Sequence, residues 1–94
     1  MYGRRIILVT ASWCASCKGM LDWFTDISIP GLAFEVMDIE EFDLPLLNIS
    51  SVPTIVFMED SECVDMHPGT KTRHDLIHHI YSLWPSLPRI RDEN

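Results

Sequence analysis

The stretch RRIILVTASWCASCK, residues 4–18, decides the fold because it joins a buried strand directly to a pair of cysteines. Its aliphatic run at residues 6–9 is typical of a central strand covered on both faces of its sheet. After Cys14, apolar residues recur at helical spacing, which predicts a helix extending to about Ile27 with one buried face. We therefore expect Cys14 at the exposed N-terminal end of a helix and Cys17 within the buried stripe.

The rest of the chain predicts three further strands and two further helices. A short, imperfect helix is predicted at residues 40–48. A longer helix begins at Thr72, because Asp75 follows it in a weak capping-box pattern, and the apolar stripe then runs to Trp84. The strands are predicted at residues 33–38, 54–58 and 63–67, the last two as an antiparallel hairpin.

Together these elements predict an α/β fold: a mixed four-stranded sheet in the chain order β-α-β-α-β-β-α, with helices on both faces. We expect the first two strand–helix–strand connections to be right-handed crossovers. Residues 1–94 are expected to form a single domain, since 94 residues leave no room for a second core. Residues from about 89 to 94 are expected to be a frayed tail.

Composition narrows the class of protein. With 47% hydrophobic and 22% charged residues, the chain has the balance of a soluble globular domain. No apolar run approaches the roughly 20 residues of a bilayer span, and no secretory signal is evident, so we expect a cytoplasmic protein without membrane contact. A net charge of −7 argues against nucleic acid as a partner. Three cysteines, two of them spaced C-x-x-C, fit redox or metal chemistry better than a secreted disulfide framework.

The cysteine spacing suits thiol–disulfide exchange. At the start of a helix, positions i and i+3 share one face and lie close enough for a disulfide. The helix N-terminus favours a thiolate on Cys14, and the thiolate is the attacking species. Cys14 is therefore predicted to attack a substrate disulfide and Cys17 to resolve the mixed disulfide. Trp13 can cover one side of the site, while Ala15 and Ser16 are small enough to leave Cys14 reachable.

Other interpretations of the cysteines remain open at this point. A structural zinc ion would need two more ligands, and Cys63 and His67 are candidates. However, those two residues lie on one predicted strand about 13 Å apart, too far to share a metal, so we expect no metal site. An iron–sulfur cluster shared between two chains and an idle cysteine pair are further alternatives. Cys63 is interpreted as a small buried strand residue. His74 and His78, at positions i and i+4 of the last helix, are interpreted as part of a solvated face.

The motif Trp13-Cys14-Ala15-Ser16-Cys17-Lys18 after an apolar strand, together with Ser51-Val52-Pro53-Thr54 before the third strand, resembles the thioredoxin and glutaredoxin superfamily. The resemblance extends from about Arg4 to Trp84. It implies that Pro53 is cis and lies against the cysteine pair, and that Val52 offers its backbone to an extended substrate. Thr54 belongs to the same substrate-binding motif. Gly69 matches a glycine at which the backbone approaches the substrate groove.

What the resemblance implies about function is a protein-disulfide reductase working by a Cys14/Cys17 dithiol cycle. Such a protein binds no cofactor beyond the redox-active disulfide and acts as a monomer on protein disulfides. Its reductant is thioredoxin reductase or glutathione, and one target class is a cytosolic enzyme such as ribonucleotide reductase. A glutathione-dependent glutaredoxin and a non-enzymatic binding module of the same fold are the alternatives.

The sequence also departs from the family patterns. Leu8 stands where thioredoxins carry a buried aspartate, and Val36 stands near the lysine that partners it. The chain starts at the strand that carries the motif, which is closer to the glutaredoxin layout, whereas Trp13 is typical of thioredoxins. Cys17 is therefore expected to lose its proton without the thioredoxin aspartate.

Overall fold

The computed structural model describes residues 3–41 and 49–90. Within them the chain forms four strands and two helices, which match the predicted elements in type and order. Residues 42–48 of the predicted short helix lie outside the described part, and Glu40 and Glu41 form a turn. The elements are β1 (Arg4–Thr10), α1 (Ala15–Phe24), β2 (Leu32–Asp38), β3 (Thr54–Glu59), β4 (Glu62–Pro68) and α2 (Arg73–Leu83).

The four strands form one mixed sheet in the order β2-β1-β3-β4. β1 and β2 are parallel, whereas β1–β3 and β3–β4 are antiparallel. The prediction of a mixed four-stranded sheet is thus confirmed, but the prediction of a second parallel crossover is wrong. Thr54, the first residue of β3, pairs with Val9 near the end of β1, so β3 starts where β1 finishes and must run in the opposite direction.

One face of the sheet holds both described helices. Ile6 and Leu8 of β1 are fully buried and belong to a single apolar cluster with residues of β3, α1 and α2. Burying each such side chain contributes roughly 1.5–3 kcal/mol, so this cluster is the main source of the fold's stability. The prediction of helices on both faces therefore depends on residues 40–48, most of which are not described. The helix residues in the cluster are Met20, Phe24, Leu76 and Ile80.

The opposite face of the sheet is also covered. Ile7 and Val9 of β1 and Val56 and Met58 of β3 are at most 1% exposed. Partly buried side chains from the loops and edge strands pack against them, among them Ile39 and Val52. The prediction that β1 is a central strand buried on both faces is confirmed. The outer strand β2 is less buried, because Val36 on this edge is 42% exposed.

The helix boundaries differ from prediction at one end. α1 ends at Phe24, and Ile27 is buried beyond the helix, in a turn whose N–H groups bond back to Trp23 and Phe24. Apolar spacing overestimated the helix because Ile27 fills the same core from a non-helical backbone. At α2 the prediction is confirmed, since the Thr72 hydroxyl accepts the Asp75 N–H at 3.1 Å. Neither helix, within the part of the chain described, has the length and apolar content needed to cross a bilayer.

The segment after α2 packs on the domain instead of fraying from residue 89. Leu87 is buried and Ile90 contacts the main core. The guanidinium of Arg89 lies 4.9 Å from the centre of the Tyr81 ring, and the Tyr81 hydroxyl donates to the Pro88 carbonyl at 2.7 Å. Arg89 and Ile90, where the tail was predicted to begin, thus contact the domain, and residues 91–94 lie outside the described part.

Candidate active site

The two cysteines of the motif form a disulfide at the start of α1. Cys14 is the N-cap residue, with extended backbone angles, and Cys17 lies in the first turn. Their Cα atoms are 5.3 Å apart, and the backbone N–H of Cys17 donates to the Cys14 sulfur at 3.1 Å. The first N–H groups of a helix have no partner within the helix, so a negative sulfur in this position is stabilised by hydrogen bonding and by the helix dipole.

The pair is more buried than the sequence predicted. Cys14 is only 5% exposed and Cys17 is 1% exposed. Apolar side chains of Ala11, Ile39 and Val52 pack around the two sulfurs. The expectation of an exposed Cys14 is therefore wrong for the disulfide form, because the N-cap side chain folds back over the first turn of α1. The predicted order of accessibility, with Cys17 beneath Cys14, is retained.

The residues on either side of Cys14 in the sequence are exposed to solvent. Trp13 is 72% exposed, and Ala15 and Ser16 are also exposed. The Ser16 hydroxyl oxygen lies 3.6 Å from the Cys14 sulfur, close enough to donate a weak hydrogen bond to it. The sequence analysis treated Ser16 only as a small residue, and its position two residues after the N-cap was the available signal for this contact.

A loop with a cis peptide bond lies against the cysteine pair. The Val52–Pro53 bond is cis, as the family resemblance implied, and Val52 contacts the cluster that contains both cysteines. Thr54 is buried, and its hydroxyl donates to the Ser51 carbonyl at 2.7 Å. This hydrogen bond ties the first residue of β3 to the loop that precedes it.

Gly69 ties the end of β4 to this loop. Its N–H donates to the Pro53 carbonyl at 2.8 Å, and its φ of +95° lies in the region that favours glycine. The sequence placed Gly69 near the substrate groove, and the structure brings it against Pro53. A residue with a side chain would strain the backbone here although a Cβ atom would meet nothing within 4 Å.

Among the residues that the structure describes, the side chains that pack around Cys17 are apolar. Leu8 is fully buried and stands opposite Val36 in the register of β1 and β2. The side chains that pack around the pair, Ala11, Ile39 and Val52, carry no ionisable group. The sequence-based expectation that Cys17 works without a neighbouring aspartate at position 8 therefore agrees with the packing.

The third cysteine is separate from the pair. Cys63 is a free, partly buried thiol on β4 that packs on the opposite sheet face, and its Sγ donates to the Asp65 carbonyl at 3.3 Å. Burial raises the pKa of the Cys63 thiol. His67 lies on the same strand, as predicted. Within residues 3–41 and 49–90, no three His, Cys, Asp or Glu side chains come together as metal ligands.

One contact between two polar side chains was not predicted from the sequence. The His79 ring nitrogen lies 2.7 Å from an Asp65 carboxylate oxygen, which links α2 to β4, and the His79 ring stacks at 4.3 Å from Phe57. The hydrogen bond with His79 lowers the pKa of Asp65. Nothing in the sequence signals this contact, because the two residues lie on different elements. His74 and His78, by contrast, are exposed on α2, as predicted.

Known proteins resemble this chain in sequence. A family model described as Thioredoxin matches residues 3–82. Among curated proteins, one designated thioredoxin H10, from Arabidopsis thaliana, is 30% identical over 71 residues, which cover 71% of this chain and 46% of that protein. Thioredoxin H5 of Oryza sativa subsp. japonica is 26% identical over 73 residues, with 72% and 54% covered. The chain thus spans about half the length of the curated relatives it matches.

Solved structures resemble it in fold. A wild-type thioredoxin h from poplar superposes with a TM-score of 0.73 at 25% identity, covering 90% of this chain and 79% of that one. A mutant thioredoxin from Halobacterium salinarum superposes with a TM-score of 0.71 at 21% identity, covering 86% and 74%. The second likeness shows the fold alone.

Proposed function

We propose that this chain, which belongs to the thioredoxin family, is a thiol–disulfide oxidoreductase that reduces protein disulfides through Cys14 and Cys17. The observation that carries the proposal is the position of the Cys14 sulfur. It is bonded to Cys17 and accepts the first-turn N–H of α1, and Val52, which precedes the cis bond to Pro53, packs on the cluster that contains both cysteines. These contacts suit a thiolate nucleophile, and the thiolate is the species that attacks disulfides.

The first step starts from the reduced dithiol. The Cys14 thiolate attacks one sulfur of the substrate disulfide, so that a bond between Cys14 and the substrate forms while the substrate S–S bond breaks. The second substrate sulfur leaves as a thiolate and takes up a proton. Cys14 is the attacking residue in this proposal because it is the more exposed of the two and caps the helix.

The second step releases the substrate. The Cys17 thiol loses its proton, and its sulfur attacks Cys14, so that the Cys14–Cys17 bond forms and the remaining substrate sulfur leaves as a thiolate that is then protonated. Two electrons have then passed to the substrate, and its two sulfurs have taken up the proton released by Cys17 and one proton from solvent. The 5.3 Å separation of the Cα atoms supports this step because it is a normal distance for a disulfide.

The substrate would bind in an extended conformation across the site. The exposed Trp13 ring and the loop of Val52 and Pro53 flank Cys14, and the backbone of Val52 would hydrogen-bond to the substrate as an added strand. Gly69 holds the Pro53 carbonyl and thereby fixes the position of this loop. Ala15 and Ser16 leave room for the substrate next to the nucleophile.

The source of electrons and the target complete the proposal. We take thioredoxin reductase as the reductant, because the similar proteins are thioredoxins; glutathione is the alternative. Reduction of a cytosolic enzyme such as ribonucleotide reductase, a monomeric state and a cytoplasmic location rest on analogy with the family.

Paired activity assays test the reductant. Insulin reduction driven by NADPH and thioredoxin reductase is measured beside glutathione-driven reduction of a small mixed disulfide. We expect turnover in the first assay. Turnover only in the second would replace thioredoxin reductase by glutathione, and no turnover in either, with Cys14 unreactive to alkylation at neutral pH, would leave a binding module.

Cysteine variants test the assignment of roles. Cys14→Ser should abolish turnover, whereas Cys17→Ser should accumulate a mixed disulfide with the substrate, detectable by mass spectrometry under non-reducing conditions. Cys63→Ser is the matched control and should retain full activity, because Cys63 pairs with Met58 near the β3–β4 turn and is not among the side chains that pack on the cysteine pair. Full activity of Cys17→Ser on protein disulfides would contradict its resolving role.

A further inference from the structure

An open groove of about 600 Å³ lies between α1 and the start of α2. It begins beside the cysteine pair, since Ser16, whose hydroxyl oxygen is 3.6 Å from the Cys14 sulfur, is one of its lining residues. Trp23 of α1 lines it further along the helix and offers an apolar surface. On the other side it is lined by His67 of β4 and by Lys71 and Arg73 at the start of α2.

The charge of this groove opposes that of the whole chain. Lys71 and Arg73 line it, against a single carboxylate from Asp75, whereas the chain carries a net charge of −7. Within residues 3–41 and 49–90, Lys71 forms no ion pair with an acidic side chain. The ammonium group of Lys71 is therefore free to pair with a carboxylate that comes from outside.

Two arginines of β1 are differently placed. Arg4 pairs with Glu59 and Arg5 with Glu35 at the N-terminal end of β1, away from the cysteines at the other end of that strand. Lys71 differs from these two arginines, because it lines the groove beside the cysteine pair and forms no ion pair with an acidic side chain of the described residues.

We propose that this groove receives an acidic side chain of the protein substrate, next to its disulfide, and so directs the enzyme to disulfides in acidic segments. The inference rests on the proposed function, because the groove can select substrates only if Cys14 attacks them. The carboxylate would lie near Lys71, while the methylene groups of the side chain would contact Trp23. Charges at the rim of an interface act mainly on the rate of association and on its salt dependence.

Net charge alone predicts the opposite preference. A chain of charge −7, with a thiolate at its centre of reaction, repels acidic peptides and attracts basic ones. Local pairing in the groove acts within a few ångströms, whereas the field of distant charges is screened beyond a Debye length of about 8 Å. The two explanations therefore predict reversed orders of reactivity, which an experiment can separate.

The test uses three disulfide-containing peptides of equal length that carry Glu, Gln or Lys beside the disulfide. The fully reduced chain is mixed with each peptide at an ionic strength of about 0.15 M, where the Debye length is about 8 Å. The second-order rate constant of its oxidation is measured by rapid acid quench. We expect the order Glu, Gln, Lys, with Glu faster than Gln by about 1.5-fold to fivefold, as is reasonable for one exposed charge pair. Raising the salt concentration to about 0.5 M should bring the ratio close to one. Equal rates, or the reverse order, would overturn the proposal.

Variants of the two lysines locate the effect. Lys71→Glu should reverse the preference between the Glu and Gln peptides, and Lys71→Arg should keep it. Lys18→Glu makes the same change of charge on α1 at a residue that does not line the groove, and it should leave the Glu-to-Gln ratio nearly unchanged. An equal loss of preference in Lys18→Glu and Lys71→Glu would assign the effect to the whole electric field and refute the groove.

The Gln peptide separates this inference from the proposed function. If it oxidises the reduced chain at a rate similar to that of the other two peptides, the oxidoreductase stands and the acidic selectivity is wrong. If no peptide oxidises the chain, the proposed function fails and the selectivity fails with it.

Discussion

Replacing Gly69 by alanine tests how the loop that carries Pro53 is held in place. The φ of Gly69 is +95°, and its N–H bonds to the Pro53 carbonyl at 2.8 Å. Since an added Cβ would meet nothing within 4 Å, Gly69→Ala introduces backbone strain without a steric clash. Such strain costs about 1–3 kcal/mol. Alanine also lowers the entropy of the unfolded chain, which offsets about 0.4–1 kcal/mol. We therefore expect the free energy of unfolding to fall by about 0.5–2 kcal/mol, which lowers the Tm of a domain of this size by roughly 3–15 °C.

Gly19 provides the matched control. It lies inside α1, an added Cβ there also meets nothing within 4 Å, and its φ is not positive. Alanine is more favourable than glycine inside a helix by about 0.5–1 kcal/mol, so Gly19→Ala should stabilise the fold. Urea unfolding of the oxidised proteins, followed by far-UV circular dichroism, measures both changes. If Gly69→Ala is as stable as the parent, or if the two variants shift in the same direction, the strain at Gly69 has been misassigned.

Three other predictions concern the cysteines, an ion pair and a helix cap. After reduction, iodoacetamide at pH 7 should modify Cys14 well before Cys63, because the helix N-terminus favours the Cys14 thiolate while burial raises the pKa of Cys63. Peptide mass spectrometry at timed intervals measures the modification of both cysteines. Faster modification of Cys63 would contradict the assignment. The hydrogen bond with His79 lowers the pKa of Asp65, so the stability that the carboxylate contributes is present above about pH 4 and is lost as the pH falls through the lowered pKa. The difference in unfolding free energy between the parent and Asp65→Asn should therefore shrink below about pH 4. A difference that does not change with pH would show that ionisation of Asp65 is not its cause. Thr72→Ala should cost about 0.5–2 kcal/mol by removing the cap of α2, whereas Thr72→Ser should retain most of that stability in the same urea assay.

Much of the fold could be predicted because local patterns determine it. The aliphatic run at residues 6–9 is short, continuous and followed at once by a helical stripe, which indicates a central strand and the helix after it. The cap at Thr72 was likewise visible, because its partner Asp75 is only three residues away. The direction of β3 could not be predicted, because the residue pattern of a strand is the same for a parallel and an antiparallel neighbour. The pairing of Thr54 with Val9 depends on the whole connection between the two strands.

The candidate site divides in the same way. The cysteine spacing and Pro53 could be predicted from short motifs. The burial of Cys14 could not, because it depends on Ile39 and Val52, which reach the pair from two separate loops. The cationic groove was also invisible in the sequence, since Ser16 and Lys71 are far apart along the chain and meet only when α1 and α2 pack on the same face of the sheet.

The packing around Cys14 and Cys17 explains why two identical side chains three residues apart can take different roles. Cys14 caps α1, and the N–H of Cys17, which has no partner within the helix, donates to the Cys14 sulfur. This hydrogen bond and the helix dipole both favour the thiolate of Cys14. Cys17 points beneath the helix into apolar surroundings, where a thiolate is disfavoured by desolvation. With Leu8 buried in the adjacent strand, the proton of Cys17 has no carboxylate acceptor at that position. In the proposed mechanism the reduced pair therefore has a thiolate on Cys14 and a neutral thiol on Cys17, and Cys14 makes the first attack. This arrangement also leaves deprotonation of Cys17 as the slower event, so resolution of the mixed disulfide should accelerate with rising pH in the parent.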